Sequence, residues 1–190
     1  MGLSIHYSGK IRHPDLIEEL NAEVADICNS LDWTFHIIKE PDEDQLNGIC
    51  FSPEGCEPVF LTFLPGGRIC SPVNLMNRDI YENNELDKEL VYTTSIKTQY
   101  AGPDAHMAVI KLLRYLKEKY FEKFELDDEG KFWETNDKQI LLEQFARYEF
   151  LLNTVSESLS NMKAIPGESP ESLTDRIEKV LREKRGGENK

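Results

Sequence analysis

Residues 124–137 hold the densest group of chemically capable side chains in the sequence, with several carboxylates around one of the two tryptophans. Carboxylates bind cations and exchange protons in general acid–base catalysis, and a tryptophan can form the wall of a pocket. Glu129 and Glu134 are therefore candidate catalytic residues, and Trp133 is a candidate binding residue. Two local structures could present these side chains.

One of them is a calcium-binding loop between two helices. Glu125, Asp127 and Glu129 would stand at its first, third and fifth positions, and Gly130 at the sixth, where an EF-hand makes its sharp turn. The twelfth position holds Asn136, although an EF-hand needs a bidentate glutamate there. Losing that glutamate removes two of the oxygen atoms that calcium requires.

The favoured structure is a β-hairpin, with strands at 124–126 and 131–134 around a turn at 127–130. Glycine at the end of the turn would supply the positive φ that such turns need. Carboxylates collect in turns because they are solvated there and accept hydrogen bonds from nearby backbone N–H groups. In this interpretation Trp133 packs on the core or shields the mouth of a pocket.

Three histidines are candidates for metal binding or proton transfer. His6 and His36 lie on separate predicted strands, and His106 lies in the first turn of a predicted helix. With Asp127, Asp128 or Glu134 they could converge on one metal, but no H-x-H, H-x-x-x-H or H-E-x-x-H pair supports this specifically. We predict no cofactor and leave a divalent metal as the open alternative. His6 and His106 are also candidate catalytic residues, as general bases or proton shuttles.

A second segment with binding potential runs from the end of a predicted strand into a predicted helix. Lys97, Gln99 and Tyr100 precede a turn through Gly102, and they are candidate binding residues. Helix N-termini attract anions, and a lysine beside one would help. Asp104 at the second helical position opposes an anion, and no glycine-rich phosphate cradle is present.

The four cysteines include no C-x-x-C pair, which argues against a zinc ribbon or a thioredoxin-like site. Cys56 stands between Glu54 and Glu57, whose negative charges disfavour a reactive thiolate, so we interpret it as an incidental loop residue. No apolar run reaches the roughly 20 residues that span a bilayer, and no signal peptide precedes the first predicted strand. We therefore predict reduced thiols and a cytoplasmic protein.

Hydrophobic periodicity predicts the elements that must position these residues. Helices are expected to begin at Pro14, Gly102 and Asn136, where proline or a capping side chain precedes an apolar stripe. The predicted fold class is α+β: a mostly antiparallel sheet of five to seven strands, packed by about three helices, with a C-terminal helical tail. The predicted strands are 3–8, 33–38, 46–51, 58–64, 68–70 and 90–98.

The predicted domain organisation is one α+β domain over residues 1–164, followed by a linker, a short helix and a flexible tail over residues 165–190. Proline and glycine mark the linker, and the last helix is expected to begin at Ser169 and Pro170. Residues from 165 onward hold six acids and six bases, so the net charge of −13 lies within residues 1–164.

The long helix predicted over residues 137–162 has an apolar residue at every fourth and then every third position for three heptads. That spacing is typical of a coiled-coil seam, although charges at the flanking positions are sparse. The helix could lie across the sheet, or the seam could bind a protein partner or a second copy of the chain. The apolar positions are Leu141, Phe145, Tyr148, Leu152, Val155, Leu159 and Met162.

The charge balance limits the classes of partner. The chain has 35 acidic and 22 basic residues, which gives a net charge of −13. Such a surface repels nucleic-acid phosphates and anionic membranes, so we expect neither as a partner. Solubility alone could explain the acidity, but the charge also suits a basic protein.

Three short blocks resemble, as a set, a family of bacterial proteins of no known activity. They are Met1-Gly-Leu-Ser-Ile-His-Tyr-Ser, Lys97-Thr-Gln-Tyr-Ala and Asp128-Glu-Gly-Lys-Phe-Trp-Glu. The family opens with MGL(S/T)IHYS and carries KTQYA and DEGxFWE blocks. The resemblance covers roughly residues 1–160, and it implies a bacterial origin and a shared fold.

Two functions follow as hypotheses. The first is a cytoplasmic binding or regulatory protein, similar to an immunity or inhibitor protein, whose acidic surface meets a basic protein. The second is a small hydrolase, with or without a metal, in which His6 and His106 converge with carboxylates in a pocket walled by Trp133. The arrangement of these residues in space distinguishes the two hypotheses.

Overall fold

The computed structural model of the chain describes residues 3–39, 46–82, 88–160, 165, 167 and 169–186. Within them the chain divides into two compact units, residues 1–145 and residues 146–190. The first unit contains every strand of the described residues, and the second is helical. The predicted boundary between residues 164 and 165 stays a prediction.

The described residues form six strands in two antiparallel sheets, in agreement with the predicted α+β class and its five to seven strands. One sheet has the order β5-β1-β6 and the other has the order β2-β3-β4. The strands are β1 (Ser4–Ile11), β2 (Thr34–Lys39), β3 (Asn47–Ser52), β4 (Val59–Phe63), β5 (Thr94–Lys97) and β6 (Phe121–Asp128).

A short extended segment joins the two sheets. Arg68 bridges to Lys10 of β1, and Ile69 bridges to Phe63 of β4. The Ile69 N–H donates to the Gly9 carbonyl at 2.9 Å, so the segment is hydrogen-bonded to β1 beside β5. Isolated bridges through this segment therefore link the two sheets, with β2 as the outermost strand on one side and β6 on the other.

Seven α-helices accompany the strands in the described part of the chain, more than the three that were predicted. Three of them are the predicted long helices, and α7 is the predicted helix of the tail. The helices are α1 (Ile17–Ser30), α2 (Pro72–Met76), α3 (Arg78–Glu82), α4 (Gly102–Tyr120), α5 (Phe132–Thr135), α6 (Lys138–Ser160) and α7 (Pro170–Gly186). Short 3-10 helices cover Pro14–Leu16 and Lys88–Tyr92.

The core of the first unit is built from the inward positions of the strands and the apolar stripes of α1 and α4. Leu20, Val24 and Cys28 of α1 are fully buried, as are Val109 and Leu113 of α4. Arg12 fixes the C-terminal end of α4, because its guanidinium donates to the backbone carbonyls of residues 118, 119 and 121 at 2.8–3.2 Å. This arrangement holds α4 against the end of β1.

The predicted hairpin over residues 124–134 is wrong. Residues 121–128 pair with β1, and after a turn the chain enters α5 instead of returning as a strand. The side chain of Asp128 accepts the N–H groups of Gly130 and Trp133, and Lys131 adopts a left-handed φ of 62°. These bonds coil the chain back on itself, so it cannot run antiparallel to β6.

Two other predicted strands are shorter in the structure. In the segment predicted as a strand over 90–98, Lys88–Tyr92 forms a 3-10 helix and only Thr94–Lys97 is extended. The segment 68–70 makes isolated bridges and no regular strand. The predicted strands around β1, β2, β3 and β4 agree with the structure to within a few residues.

The apolar seam predicted along the long helix is divided between two environments. Leu141 is fully buried in the core of the first unit, and Phe145 packs against that core. Leu152 is 42% exposed and Leu159 is 41% exposed, while Met162 lies outside the described residues. The first part of the seam therefore belongs to the fold of the first unit, whereas Leu152 and Leu159 face solvent.

Candidate functional site

A fully buried cluster of polar side chains in the described part of the first unit joins Thr98, His106 and Asp128. Thr98 follows β5, His106 lies in the first turns of α4, and Asp128 ends β6. Each of the three residues has 0% exposure. His106 continues the buried stripe of α4, and Asp128 follows the alternation of Phe124 and Leu126 in β6, so both side chains point inward.

The geometry of the cluster resembles the hydroxyl–imidazole–carboxylate arrangement of hydrolases. Nδ1 of His106 lies 2.7 Å from Oγ1 of Thr98, and Nε2 lies 3.0 Å from Oδ1 of Asp128. The Nε2–H bond does not point straight at the carboxylate oxygen, so that contact is mainly electrostatic. The ring also meets Phe145 edge-on, with 5.8 Å between the ring centroids.

Two proton arrangements satisfy these contacts. The Thr98 hydroxyl can donate to Nδ1 of a neutral ring, or a charged ring can donate to Thr98, whose own proton then goes to the Leu3 carbonyl 3.3 Å away. In both arrangements Nε2 of His106 carries a proton, because its bare lone pair would otherwise face the carboxylate of Asp128.

Asp128 is held ionised by its neighbours. Burial by itself would raise the pKa of its carboxyl, but His106 and two backbone N–H groups outweigh burial and bring the pKa below its ordinary value. The Gly130 N–H donates to Oδ1 at 2.7 Å, and the Trp133 N–H donates to Oδ2 at 2.9 Å. Asp128 thus fixes the turn between β6 and α5 as well as the histidine.

The cluster is sealed from solvent, and this decides what it can do chemically. At residue 130 the ring leaves room for nothing larger than a hydrogen, since a Cβ atom on Gly130 would lie 2.8 Å from Nε2 of His106 and 2.6 Å from Cδ1 of Leu141. A triad that transfers an acyl group needs its hydroxyl and base within reach of the substrate. Thr98, His106 and Asp128 therefore form a structural network that joins β5, α4 and β6.

His106 and Asp128 were both named from the sequence, Asp128 only as a possible metal ligand, whereas Thr98 was not. The spacing of apolar residues around His106 and Asp128 already indicated that both side chains are buried. His106 precedes Val109, Ile110 and Leu113 at helical spacing, and Asp128 occupies an inward position of its strand. A histidine and a carboxylate on two apolar faces of one core are expected to neutralise each other.

His6 lies away from this network, on the solvent-facing side of β1. It pairs across the sheet with Ser95 of β5 and with Asp127 of β6. A shallow depression of about 290 Å³ is lined by His6 and Asp127 together with Tyr7, Ser8, Thr93, Glu125 and Leu126. His106 is not among the lining residues, so His6 and His106 do not form the single pocket that the hydrolase hypothesis requires.

The remaining candidate residues are spread over the first unit. His36 lies on β2 in the other sheet, and Tyr100 is 79% exposed in the turn before α4. Gln99 is half-buried in the same turn, and its Oε1 has no hydrogen-bond partner. The Lys97 backbone N–H donates to Glu57 at 3.0 Å, and its ammonium group lies 4.0 Å from the same carboxylate.

The carboxylates and tryptophan of the former hairpin segment also separate. Glu129 accepts the Ser4 N–H at 2.7 Å, which anchors the turn to β1. Glu134 is exposed on α5. Trp133 is half-buried against Phe124, and Arg114 and Lys117 of α4 each approach its ring to 5.3 Å from the centroid.

Within the described ranges, no three His, Cys, Asp or Glu side chains are grouped so that they could hold a metal ion. His6, His36, His106 and Asp127 in particular are divided among β1, β2, α4 and β6. Burial, with a smaller contribution from Glu57, raises the pKa of the Cys56 thiol to about 11. A thiol with that pKa is almost wholly protonated at neutral pH, in keeping with an incidental loop cysteine.

Charge is divided unevenly between the two units. Residues 146–190 contain eight acidic and eight basic side chains, so the whole net charge of −13 belongs to residues 1–145. Exposed carboxylates of α1, Glu18, Glu19 and Asp26 among them, contribute to it. None of the helices in the described part of the chain combines the length and apolar composition of a membrane-crossing segment.

Comparison of the chain with family models, with curated proteins and with solved structures finds no match.

Proposed function

We propose that this chain is a binding protein for a basic protein partner, in the manner of an immunity or inhibitor protein. The observation that carries the proposal is the placement of charge: the excess of −13 lies wholly in residues 1–145. The one hydroxyl–imidazole–carboxylate cluster found among the described residues is sealed inside the same unit. The surface of this unit is therefore suited to attracting cations, whereas its buried hydroxyl–imidazole–carboxylate cluster is out of reach of a substrate.

Electrostatic attraction explains how such a surface would select its partner. A negative field over one unit accelerates encounter with a basic protein and repels acidic ones. The field is screened over about 10 Å at 0.1 M ionic strength, so binding should weaken as salt is added. Cytoplasmic location and bacterial origin belong to the same proposal, and the second rests on the resemblance of the three sequence blocks.

The test is selection from a displayed library of random peptides at low salt. We expect the selected peptides to be enriched in Lys and Arg, and we expect their affinity to fall by at least tenfold between about 0.05 and 0.5 M NaCl. Selected peptides without a basic bias, or no selected peptides at all, would contradict the proposal.

A pair of charge-matched variants locates the attraction. One variant replaces Asp15, Glu18 and Asp26 with their amides, which removes three charges around α1. The control removes three exposed charges elsewhere, at Glu54, Asp127 and Glu134. If the α1 variant loses more affinity than its control, the partner binds on the α1 side; equal losses indicate attraction by the field of the whole unit.

The alternative, a small hydrolase, retains one specific observation. His6 and two carboxylates line the open depression on the outer face of the sheet. In this case His6→Ala would abolish turnover of a panel of ester and amide substrates. Absence of turnover by the wild-type protein over the panel would remove the alternative.

A further inference from the structure

Strand β2 is an edge strand of the sheet β2-β3-β4 in the described part of the chain. Among the described residues it pairs with β3 alone. None of its six residues is buried, and Ile37 is 52% exposed. An edge strand presents a row of unpaired N–H and C=O groups on its outer side, and these groups can hydrogen-bond to another extended chain.

The outermost strand on the other side, β6, is protected in a way that β2 is not. The exposed positions of β6 include Glu122, Lys123, Glu125 and Asp127, and charged side chains on an edge discourage pairing with another strand. β2 reads Thr-Phe-His-Ile-Ile-Lys, without proline, and its one constantly charged residue is Lys39 at its end. Of the two outer strands, β2 lacks the exposed charges that would discourage pairing with another strand.

Carboxylates stand at both ends of β2. Glu18 of α1 is 88% exposed at its side chain and lies 3.6 Å from the ammonium group of Lys39. Asp32 is exposed two residues before the strand begins. Phe35 and Ile37, which alternate with the residues facing the other way, offer apolar contact between the two ends.

We propose that β2 is the docking edge for the basic partner, which adds an extended segment of alternating apolar and basic residues beside it. Backbone hydrogen bonds would supply affinity, Ile37 an apolar contact, and Glu18 and Asp32 the charge selection. This inference rests on the proposed function and specifies its mode of binding. A second copy of the chain suits the edge less well, since two units of −13 repel each other.

The probe is a synthetic peptide of about ten residues in which Val and Lys alternate, because every second residue of a strand faces the same side. Its control has proline in place of each Val, which keeps the charge but removes the N–H groups needed for a ladder. We expect the Val–Lys peptide to bind at least ten times more tightly than the control. Equal affinity of the two peptides would overturn the inference.

Amide hydrogen exchange identifies the site. Alternate amides of an antiparallel edge strand point outward and are free to exchange. On binding, we expect new protection within residues 34–39 and none within 121–128. Protection elsewhere, for example only in residues 146–160, overturns the edge inference although the protein still binds a basic peptide. Failure of both this probe and the peptide selection would instead reject the proposed function.

Substitutions at the edge provide the matched test. Ile37→Lys places a repelling cation on the exposed strand and should weaken the Val–Lys peptide at least tenfold. Ile37→Thr retains a β-branched residue and should weaken it less than threefold, and Glu122→Gln makes the same change in net charge at the protected edge. If Glu122→Gln weakens binding as much as Ile37→Lys, charge alone explains the loss. Protection of residues 34–39 in a concentrated sample without peptide, at the mass of a dimer, would identify a second copy as the occupant.

Discussion

At the scale of single residues, the side chain of Asp128 contacts groups from several parts of the fold. Its carboxylate faces the His106 ring and accepts two backbone N–H groups, and it has no exposure to water. Removing one member of such a buried group leaves the others without partners in a medium of low dielectric constant, which costs more than the hydrogen bonds alone.

We expect Asp128→Asn to lower the free energy of unfolding by about 2–4 kcal/mol, because an amide cannot neutralise His106 or accept both N–H groups equally well. The neighbouring Asp127 is exposed, so Asp127→Asn should change stability by less than about 0.5 kcal/mol. Urea denaturation of both variants measures the difference. Equal stability of the two variants would show that the buried network contributes nothing.

The same carboxylate predicts how stability depends on pH. The pKa of Asp128 is lower in the folded protein than its ordinary value, so the stabilisation is complete above the unfolded pKa of about 3.9 and is lost as pH falls through the folded pKa. Between pH 7 and pH 3 we expect the wild-type protein to lose more stability than Asp128→Asn. Parallel pH profiles of the two proteins would contradict the network.

Gly130 tests the space around the same ring. An added Cβ would lie 2.6 Å from Leu141 Cδ1 and 2.8 Å from His106 Nε2, so Gly130→Ala should destabilise by about 1–3 kcal/mol through overpacking. Gly66 has no neighbouring heavy atom within 4 Å of the same position, so Gly66→Ala is the matched control. Thermal denaturation compares them, and a control as destabilised as Gly130→Ala would refute the steric explanation.

At the scale of elements, α6 shows how a regular sequence pattern can serve two environments. The heptad spacing continues from Leu141 to Leu159, but only its beginning is covered by the core of the first unit. Periodicity reports which residues share a face of a helix and does not report what covers that face. Whether the exposed part binds a partner or a second copy stays a prediction.

Adjacent residues of α6 allow a direct measurement. Leu141 is fully buried, so Leu141→Ala should lower the free energy of unfolding by about 2–5 kcal/mol. Leu142 is 36% exposed, and Leu142→Ala should cost less than about 1 kcal/mol. Chemical denaturation of the two variants gives the comparison. A larger loss from Leu142→Ala would place the wrong face of the helix against the core.

The elements that could be predicted from the sequence are those whose pattern is decided locally. β1, α1 and α4 follow from alternation or helical spacing with a proline near the start of the helix. The hairpin at 124–134 failed because β6 pairs with β1, more than a hundred residues earlier, and because the Asp128 side chain directs the turn. The pairing with β1 is not visible in a local window of sequence, and the bonds to Asp128, although local, do not by themselves distinguish a turn into a helix from a hairpin turn.

The candidate site was predictable only in part, for the same physical reason. His106 was recognisable as a chemically capable residue, but its burial depends on Thr98 and Asp128, which come from two other elements. The exposed edge at β2 could not be recognised at all. A strand becomes an edge through the order of strands in the sheet, and this order is set by long-range pairing.

At the scale of the whole molecule, the concentration of charge in residues 1–145 has an energetic cost. Like charges on one compact unit repel each other, and salt screens that repulsion. Surface ion pairs such as Lys123 with Glu125, at 3.0 Å, oppose the effect, but exposed pairs contribute little on average. Net repulsion should therefore dominate.

We expect NaCl to stabilise the protein, with a gain of about 1 kcal/mol and a rise in Tm of about 2–4 °C between low and moderate salt. The variant that lacks the charges of Glu54, Asp127 and Glu134 has less repulsion and should show a smaller rise. Differential scanning fluorimetry over a salt series makes the comparison. A Tm that falls with salt would mean that ion pairs outweigh repulsion.

The sealed environment of His106 also gives the molecule an internal spectroscopic label. A ring proton that water cannot reach exchanges slowly, and one held beside a carboxylate resonates apart from the crowded amide region of a proton NMR spectrum. The Nε2 proton of His106 should therefore appear as an isolated signal without isotopic enrichment. Its loss on mutation or in denaturant would report, from one atom, that β5, α4 and β6 have come apart.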